Sequence, residues 1–509
     1  MAGTSSGGGV PRPSAVAPTS LARLAAGRGR LRGNDVAVTG ITASSSLVRA
    51  GDLFAALPGR TGHGAAYADA ARAAGAVAIL TDEAGLAQVP ADLATVVVPD
   101  VRAVLGDVAA EVYGRPSQAL TMLGVTGTSG KTTTTFFLRA GLRAAGRVPG
   151  LIGTVATMIG DEEIKTGFTT PEAPEVQALL AVMRERGVTD VAMEVSSHAL
   201  AMGRVDGIVF DVAAFTNLSE DHLDFHADME DYFAAKAGLF TPQRSRLAVV
   251  VVDDEWGVRL TELAPGLVAT VTAIGERRAT WEASAITEEA NGSTTFRALG
   301  PDDLDIEAGC AVPGRYNVAN ALLALAMLQE AAVDPKLAAP AIARASVPGR
   351  MERIDAGQPF LAVVDYSHKP AAVAGALDAL RPLTRGRLII VLGSGGDRDR
   401  GKRPHMGELA ARGADLLVIT DDNPRSEDPS TIRKAMLDGA LAVPAGERGQ
   451  VIEVAGRAEA IAVAVAAAAD ADTVLVAGKG HETGQEIAGV VHPFDDRVVL
   501  RQALEGRPR

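Results

Sequence analysis

A chain of 509 residues is too long for one ordinary hydrophobic core, and at roughly 100–200 residues per domain about three domains are expected. Hydrophobic residues make up 47% and charged residues 22%, as in soluble globular proteins, and a net charge of −13 argues against the basic face that non-specific nucleic-acid binding needs. The single cysteine, Cys310, excludes an internal disulfide and a multi-cysteine metal site, no basic-apolar leader opens the sequence, and the longest apolar run falls short of the roughly 20 residues of a membrane span, so a cytoplasmic protein without membrane insertion is expected.

In chain order, residues 1–20 are rich in Gly, Ser, Pro and Ala and are expected to form a flexible tail. Over 21–118 the runs VAVTGI, DLFAAL, VAILT and ATVVVPD read as strands between Ala-rich helical runs, a small α/β domain. A central domain over 119–347 opens at ALTMLGVTG. Its strands are TMLGVTG, DVAMEVS, FDVAAFTNL and RLAVVVVDD; helices such as TTTFFLRAGLRAAG and EVQALLAVMRERG lie between them, and YNVANALLALAMLQEA closes the unit. Continuous apolar strands alternating with helices imply a parallel sheet covered on both faces. Pro348 and Gly349 then break the helical pattern, and 348–509 reads as a third, Rossmann-like α/β domain on the strands FLAVVDYS, RLIIVLGS, DLLVITDD and DTVLVAGKG.

The stretch GVTGTSGKTTTT, residues 124–135, sits at a strand-to-helix junction. Gly127, Thr128, Ser129, Gly130, Lys131, Thr132 and Thr133 make a phosphate loop shorter than the common form, which would need Gly where Val125 stands. Backbone N–H groups and the positive end of the helix dipole there attract phosphate oxygens. Lys131 adds a cation for the β- and γ-phosphates, and the Thr132 hydroxyl is a ligand for Mg²⁺. Glu194 at the end of one strand, and Asp221, His222 and Asp224 after the next, reach the same crevice, because the carboxyl ends of parallel strands share one edge. Glu194 and His222 are therefore candidate metal ligands beside Thr132, with a zinc hydrolase as the competing reading of the E-D-H-D-H cluster and a structural hydrogen bond as that of His222. Lys236, on an amphipathic helix, reads from spacing alone as a surface or salt-bridge lysine.

Taken together, the loop and the segments VSSHAL, NLSEDHLDFH, YFAAKAGLF, GRYNVANALLALA, VPGRMERI, VVDYSHKPAA and GSGGDRDRGKRP resemble the Mur ligase family of ATP-dependent amide-forming enzymes, whose loop has the short G-T-x-G-K-T-T form. The resemblance spans nearly the whole chain. It implies three domains: a UDP-substrate-binding domain, a central ATPase domain and an amino-acid-binding domain. It also implies peptidoglycan precursor synthesis, with UDP-N-acetylmuramoyl-L-Ala-D-Glu, an amino acid and ATP as substrates, Mg²⁺ as cofactor, and a monomer as the working form. By the same resemblance Lys236 is the lysine that the family carbamylates and uses as a metal ligand. Ser46, Thr169, Thr170, Ser196 and Arg204 contact the UDP-muramoyl-dipeptide, and Asn317, Asn320, Arg350 and His368 hold the nucleotide. Met202, Ser129, Ser367 and Lys369 depart from the residues usual in the family.

The loop ITDDNPRSEDP bears on the choice of amino acid. Asp422, Asn423, Pro424 and Arg425 resemble the D-N-P-R form of the family members that add meso-2,6-diaminopimelate; lysine-adding relatives lack this Arg. Diaminopimelate is lysine with a second carboxylate, and a guanidinium grips a carboxylate bidentately, so Arg425 attracts one substrate and penalises the other. Arg398, Gly478 and Glu482 complete the implied amino-acid contacts, with Glu482 suited to the distal ammonium. The implied reaction phosphorylates a D-Glu carboxylate and passes the acyl group to an amine. Its rivals are a lysine-adding ligase, a folylpolyglutamate synthase and an ATP-binding regulatory protein without activity.

Overall fold

The computed structural model describes residues 10–59, 62–164, 170–275, 277–289 and 292–507. They form two compact units, one of 1–282 with 300–304 and 322–341, the other of 283–299, 305–321 and 342–509. Among the described residues no helix is long and apolar enough to cross a membrane.

Among the described residues the first unit holds two large sheets and a two-stranded ribbon. In the smaller of the large sheets, the strands lie in the order Arg30–Arg32, Ala94–Val97, Ala78–Thr81, Asp52–Ala55, Gly40–Thr42, parallel except for the first. Alternate residues of the inner strands feed two cores. Leu53, Leu80 and Val96 face one that includes Leu105, Val108 and Leu179, whereas Phe54 and Ile79 face another with Ala65, Ala68 and Val89. Both faces are covered, which is why these strands are apolar throughout. VAVTGI is not one strand. Ala37–Val38 pairs with Thr19–Ser20, and only Gly40–Thr42 joins the sheet.

In Val10–Ser20, part of the expected flexible tail, Val10 and Thr19 are buried while Ser14, Ala15, Ala17 and Pro18 are exposed. Val10 is part of the Leu53 core. Arg12 Nη1 donates to both oxygens of Asp52 at 2.7 Å, and Nη2 donates to the carbonyl of Leu47. The composition of this stretch hid one apolar core side chain and one ion pair.

The larger sheet carries the phosphate loop. Of its eleven strands among the described residues, six run Pro149–Ile152, Asp190–Glu194, Thr121–Thr126, Phe210–Phe215, Ser245–Val251, Leu267–Thr272, all parallel, with an antiparallel hairpin of Thr157–Ile159 and Glu162–Ile164 beyond the first. Glu194 pairs with Val125, and Phe215 with Thr126. That register places the start of the loop, the Glu194 carboxylate and the segment after Phe215 side by side.

In the second unit the strands run Glu352–Arg353, Leu361–Asp365, Thr473–Ala477, Leu388–Leu392, Leu416–Ile419, Gln450–Glu453, again parallel except for the first. The last long strand in sequence lies between the first two. The chain order reverses there, and a crevice opens at the carboxyl ends of the strands, where open α/β sheets bind ligands. Asp365, Ala477 and Ile419 end on that edge.

Candidate active site

Strand Thr121–Thr126 turns into helix Lys131–Ala144 through four residues. Two of them are glycines for a reason. Gly130 caps the helix at φ 89°, and Gly127 has φ 146° with no room for a side chain, since a Cβ would lie 1.9 Å from Thr216 Oγ1. The segment after Phe215 holds the turn in shape. Thr128 N donates to Asn217 O at 2.9 Å, Ser129 N to Asn217 Oδ1 at 3.0 Å, and Thr216 Oγ1 to Ser129 O at 2.6 Å.

Two ammonium groups meet at this loop. Lys131 Nζ donates to Gly127 O and Thr128 O at 2.8 and 2.9 Å, and Lys236 Nζ donates to Gly127 O at 2.8 Å. Lys236 is not the surface lysine that spacing suggested. It is 1% exposed, on helix Met229–Ala237, and lies 4.5 Å from the centroid of the Tyr232 ring one turn earlier. The Tyr232 phenol, pushed up by burial, stays a hydroxyl and shares a 3.2 Å hydrogen bond with Thr128 Oγ1.

Glu194 is 1% exposed and fully engaged. Its Oε1 accepts from Thr132 Oγ1 at 3.0 Å and from Thr154 N at 2.9 Å, and its Oε2 from Thr154 Oγ1 at 3.0 Å. A hydroxyl and a carboxylate in contact at a phosphate loop are the hard oxygen ligands Mg²⁺ takes, with phosphates and water completing its shell. Among the described residues no group of three or more His, Cys, Asp or Glu side chains gathers as a metal site. His222, at φ 56°, has Nε2 3.3 Å from Asp221 Oδ2. Its ring stands edge-on to His198 at 4.8 Å, and His198 stacks on Phe225 at 4.1 Å. Burial, then the neighbouring His226, holds His198 below the usual histidine range. Thr154, Asn217, Tyr232 and His198 were not anticipated; only Tyr232, four residues before Lys236 on one helix, carried a signal in its spacing.

Two groups of the expected dipeptide contacts are placed. Thr170 Oγ1 donates to Glu194 O at 3.1 Å, and Thr170 O accepts from Arg204 Nη1 at 3.2 Å. Arg204 Nε is 3.0 Å from Glu172 Oε1. Ser196 caps the short helix Ser197–Ala201 by accepting from Ala199 N. Thr169 lies outside the described residues. Ser46 lines a separate cavity of about 190 Å³ with Arg12, Thr42, Arg49, Pro174 and Glu175, where burial raises the Glu175 carboxyl above its ordinary range.

The remaining expected residues belong to the second unit. Asn317 and Asn320, buried rather than on a helix surface, are linked by a 3.0 Å bond from Asn320 Nδ2 to Asn317 Oδ1. The Arg350 guanidinium lies over the Tyr366 ring at 4.4 Å, with His368 and His481 against the same ring. Burial pushes His368 and His481 each down to about 4, so both rings are neutral at physiological pH.

The D-N-P-R loop follows Leu416–Ile419. Gly396 N donates to Asn423 O at 2.8 Å, and Arg425 Nη1 donates to Gly396 O at 2.6 Å, which ties this loop to the Gly-rich segment carrying the exposed Arg398. Arg425 Nε is 3.5 Å from Glu486 Oε2. Asn423 Nδ2 donates to Glu482 Oε2 at 2.8 Å, and Gly478, at φ 120°, faces Asp422 so closely that a Cβ would lie 3.0 Å from Oδ2. Asp422, Asn423, Gly478 and Glu482 thus form one polar cluster, with Arg425 on the same loop held by Gly396 and Glu486.

Comparison with known proteins accords with this geometry. Residues 37–113 match the model described as Mur ligase family, catalytic domain, residues 125–328 the Mur ligase middle domain, and residues 349–480 the Mur ligase, glutamate ligase domain. A protein of Streptomyces avermitilis named UDP-N-acetylmuramoyl-L-alanyl-D-glutamate--2,6-diaminopimelate ligase is 56% identical over 98% of this chain and 98% of its own. One of the same name from Corynebacterium efficiens is 53% identical over 91% of this chain and 89% of its own. A solved structure of a UDP-N-acetylmuramoyl-L-alanyl-D-glutamate--2,6-diaminopimelate ligase superposes with a TM-score of 0.67 at 31% identity, covering 92% of this chain and 95% of that one.

Proposed function

This chain belongs to the Mur ligase family, with that family's three-domain α/β fold, and from that premise we propose that it is the ATP-dependent ligase that joins meso-2,6-diaminopimelate to the D-Glu of UDP-N-acetylmuramoyl-L-Ala-D-Glu in peptidoglycan precursor synthesis. The observation that carries the reading is the 56% identity with a diaminopimelate-adding ligase over nearly the full length of both chains. The D-N-P-R loop, which carries Arg425 and whose Asn423 bonds Glu482, supports it.

The chemistry follows from the site. ATP lies with its phosphates on the Gly127–Thr133 loop, where helix N–H groups and Lys131 face developing negative charge. The D-Glu carboxylate, held by Thr170, Ser196 and Arg204, attacks the γ-phosphorus in line; ADP leaves and an acyl phosphate forms. Diaminopimelate, gripped by Arg425 at its distal carboxylate and by Glu482 at an ammonium, adds its free amine to the acyl carbon. The tetrahedral intermediate expels phosphate and leaves the amide. Most of the catalysis is positioning and electrostatic stabilisation. Mg²⁺, held by Thr132, Glu194 and His222, would neutralise phosphate charge. As the family resemblance implies, Lys236, whose side chain is buried, takes up CO₂ with release of a proton to become a carbamate, a further carboxylate-like ligand. Ser46 takes the uracil end of the nucleotide sugar, and the enzyme works as a cytoplasmic monomer.

Phosphate release from ATP in the presence of the UDP-dipeptide tests the reading. Release is expected with diaminopimelate and not with lysine. Arg425→Ala should lower kcat/KM for diaminopimelate by about 10–100-fold, the loss of one charge-assisted contact worth roughly 1.5–3 kcal/mol. Equal release with lysine in the wild type would assign the chain to the lysine-adding branch; release with neither amine would make it a nucleotide-binding protein without ligase activity.

A further inference from the structure

Lys479 was not among the residues expected at the amino-acid site, yet its side chain is fully buried at the centre of that site. Nζ donates to Asn423 Oδ1 at 2.9 Å and to Glu482 Oε2 at 3.1 Å, and lies 3.7 Å from Asp422 Oδ1. An ammonium has three N–H groups, so all three neighbours draw on one cation. The consequences for those neighbours are specific. Asn423 Oδ1 also accepts from Glu486 N at 3.0 Å, and its Nδ2 donates to Glu482 Oε2, so the amide has one possible orientation. Glu482 has Oε2 taken by Lys479 and Asn423, and Oε1 left without a protein partner among the described residues. Asp422, 6% exposed, has Oδ1 without a hydrogen bond. Two carboxylates therefore share the Lys479 cation, with the buried Arg457 guanidinium as a more distant counter-charge, and each keeps an oxygen for another donor.

We infer that Lys479 is a positioning residue that sets the charge and geometry of the amino-acid site, presenting one oxygen each of Glu482 and Asp422 to the ammonium end of a diamino substrate. The inference rests on reading this loop as the amino-acid site. Without the buried cation the two carboxylates repel, Asn423 loses its fixed orientation, and the oxygens that should meet the ligand move or take up protons.

Steady-state kinetics of Lys479→Met, Glu482→Gln, their double variant and Arg425→Ala decide the matter. Lys479→Met should raise KM for diaminopimelate about tenfold or more, near 1.4 kcal/mol. It should leave kcat within about twofold and the KM values for ATP and the UDP-dipeptide unchanged. Because both changes act through one pair, the double variant should be no worse than Glu482→Gln alone. An unchanged diaminopimelate KM in Lys479→Met, a parallel rise in all three KM values, or penalties that multiply in the double variant would overturn the inference. Should Lys479→Met fail to fold, Lys479→Gln, which keeps an N–H donor without the charge, is judged by the same criterion. If Arg425→Ala raises the diaminopimelate KM and the Lys479 variants do not, Lys479 alone is misread; if none of them does, the amino-acid site itself lies elsewhere.

Discussion

The imidazoles of His368 and His481 sit against one tyrosine ring, and burial holds each at about 4 against an ordinary value of 6.5. The unfolded chain therefore takes up protons first as the solution is acidified. The stability this provides is fully present above about pH 6.5 and is lost as pH falls toward 4, at up to about 1.4 kcal/mol per pH unit for each ring. Denaturant unfolding followed at pH 7 and pH 5 should show the loss, and His368→Asn should flatten it; a wild-type profile that is level over that interval would contradict the assignment. Legibility at this scale was uneven. Lys131, Glu194 and Arg425 stood out because each follows an apolar strand and belongs to a short run with its own chemistry. Thr154 and Lys479 did not. Thr154 reaches Glu194 across forty residues of sequence, and a lysine next to two glycines looks solvated until the sheet buries it.

Arg12 and Asp52 show how a short segment shapes an element it precedes. Their ion pair, with the Arg49 N–H on the same carboxylate and the Leu47 carbonyl on the same guanidinium, braces the turn Ser45–Leu47 that carries Ser46. Arg12→Ala strands a buried carboxylate and should cost about 2–3 kcal/mol in thermal or denaturant unfolding. It should also raise KM for the UDP-dipeptide while leaving KM for diaminopimelate alone. A variant with unchanged nucleotide-sugar kinetics would reduce the pair to a purely stabilising role. The continuous apolar strands were readable because burial on both faces erases polar alternation. The strands that escaped notice include the edge pieces Glu162–Ile164 and Gln450–Glu453 and also interior ones, Pro149–Ile152 and Leu267–Thr272, which are short or interrupted by Pro, Gly and Thr.

On the scale of the molecule, the phosphate loop and the amino-acid loop belong to separate compact units, each at the carboxyl edge of its own parallel sheet. Activation of the acceptor and choice of the amine should therefore separate in kinetics. Lys131→Ala should depress turnover by at least about a hundredfold whichever amine is offered, as expected when a preorganised charge at the reacting phosphate is lost. Arg425→Ala should alter only the preference between amines; a change in preference on removing Lys131 would refute the separation. The α/β fold class of the family was legible from the alternating apolar strands and helices and from motifs taken in sequence. The path of Val10–Ser20 was not, because composition reports the average of a segment and does not show the ion pair of Arg12 with Asp52.

The position of Thr473–Ala477 in its sheet bears on how the protein is made. This strand hydrogen-bonds to Leu361–Asp365 on one side and Leu388–Leu392 on the other, so two segments that leave the ribosome early stay unjoined until a late one slides between them. Gly478, Lys479 and Glu482 follow directly, and the substrate-choosing site is among the last features to form during synthesis. Until then the nascent sheet has two open edges, a state in which chaperones matter and aggregation competes with folding.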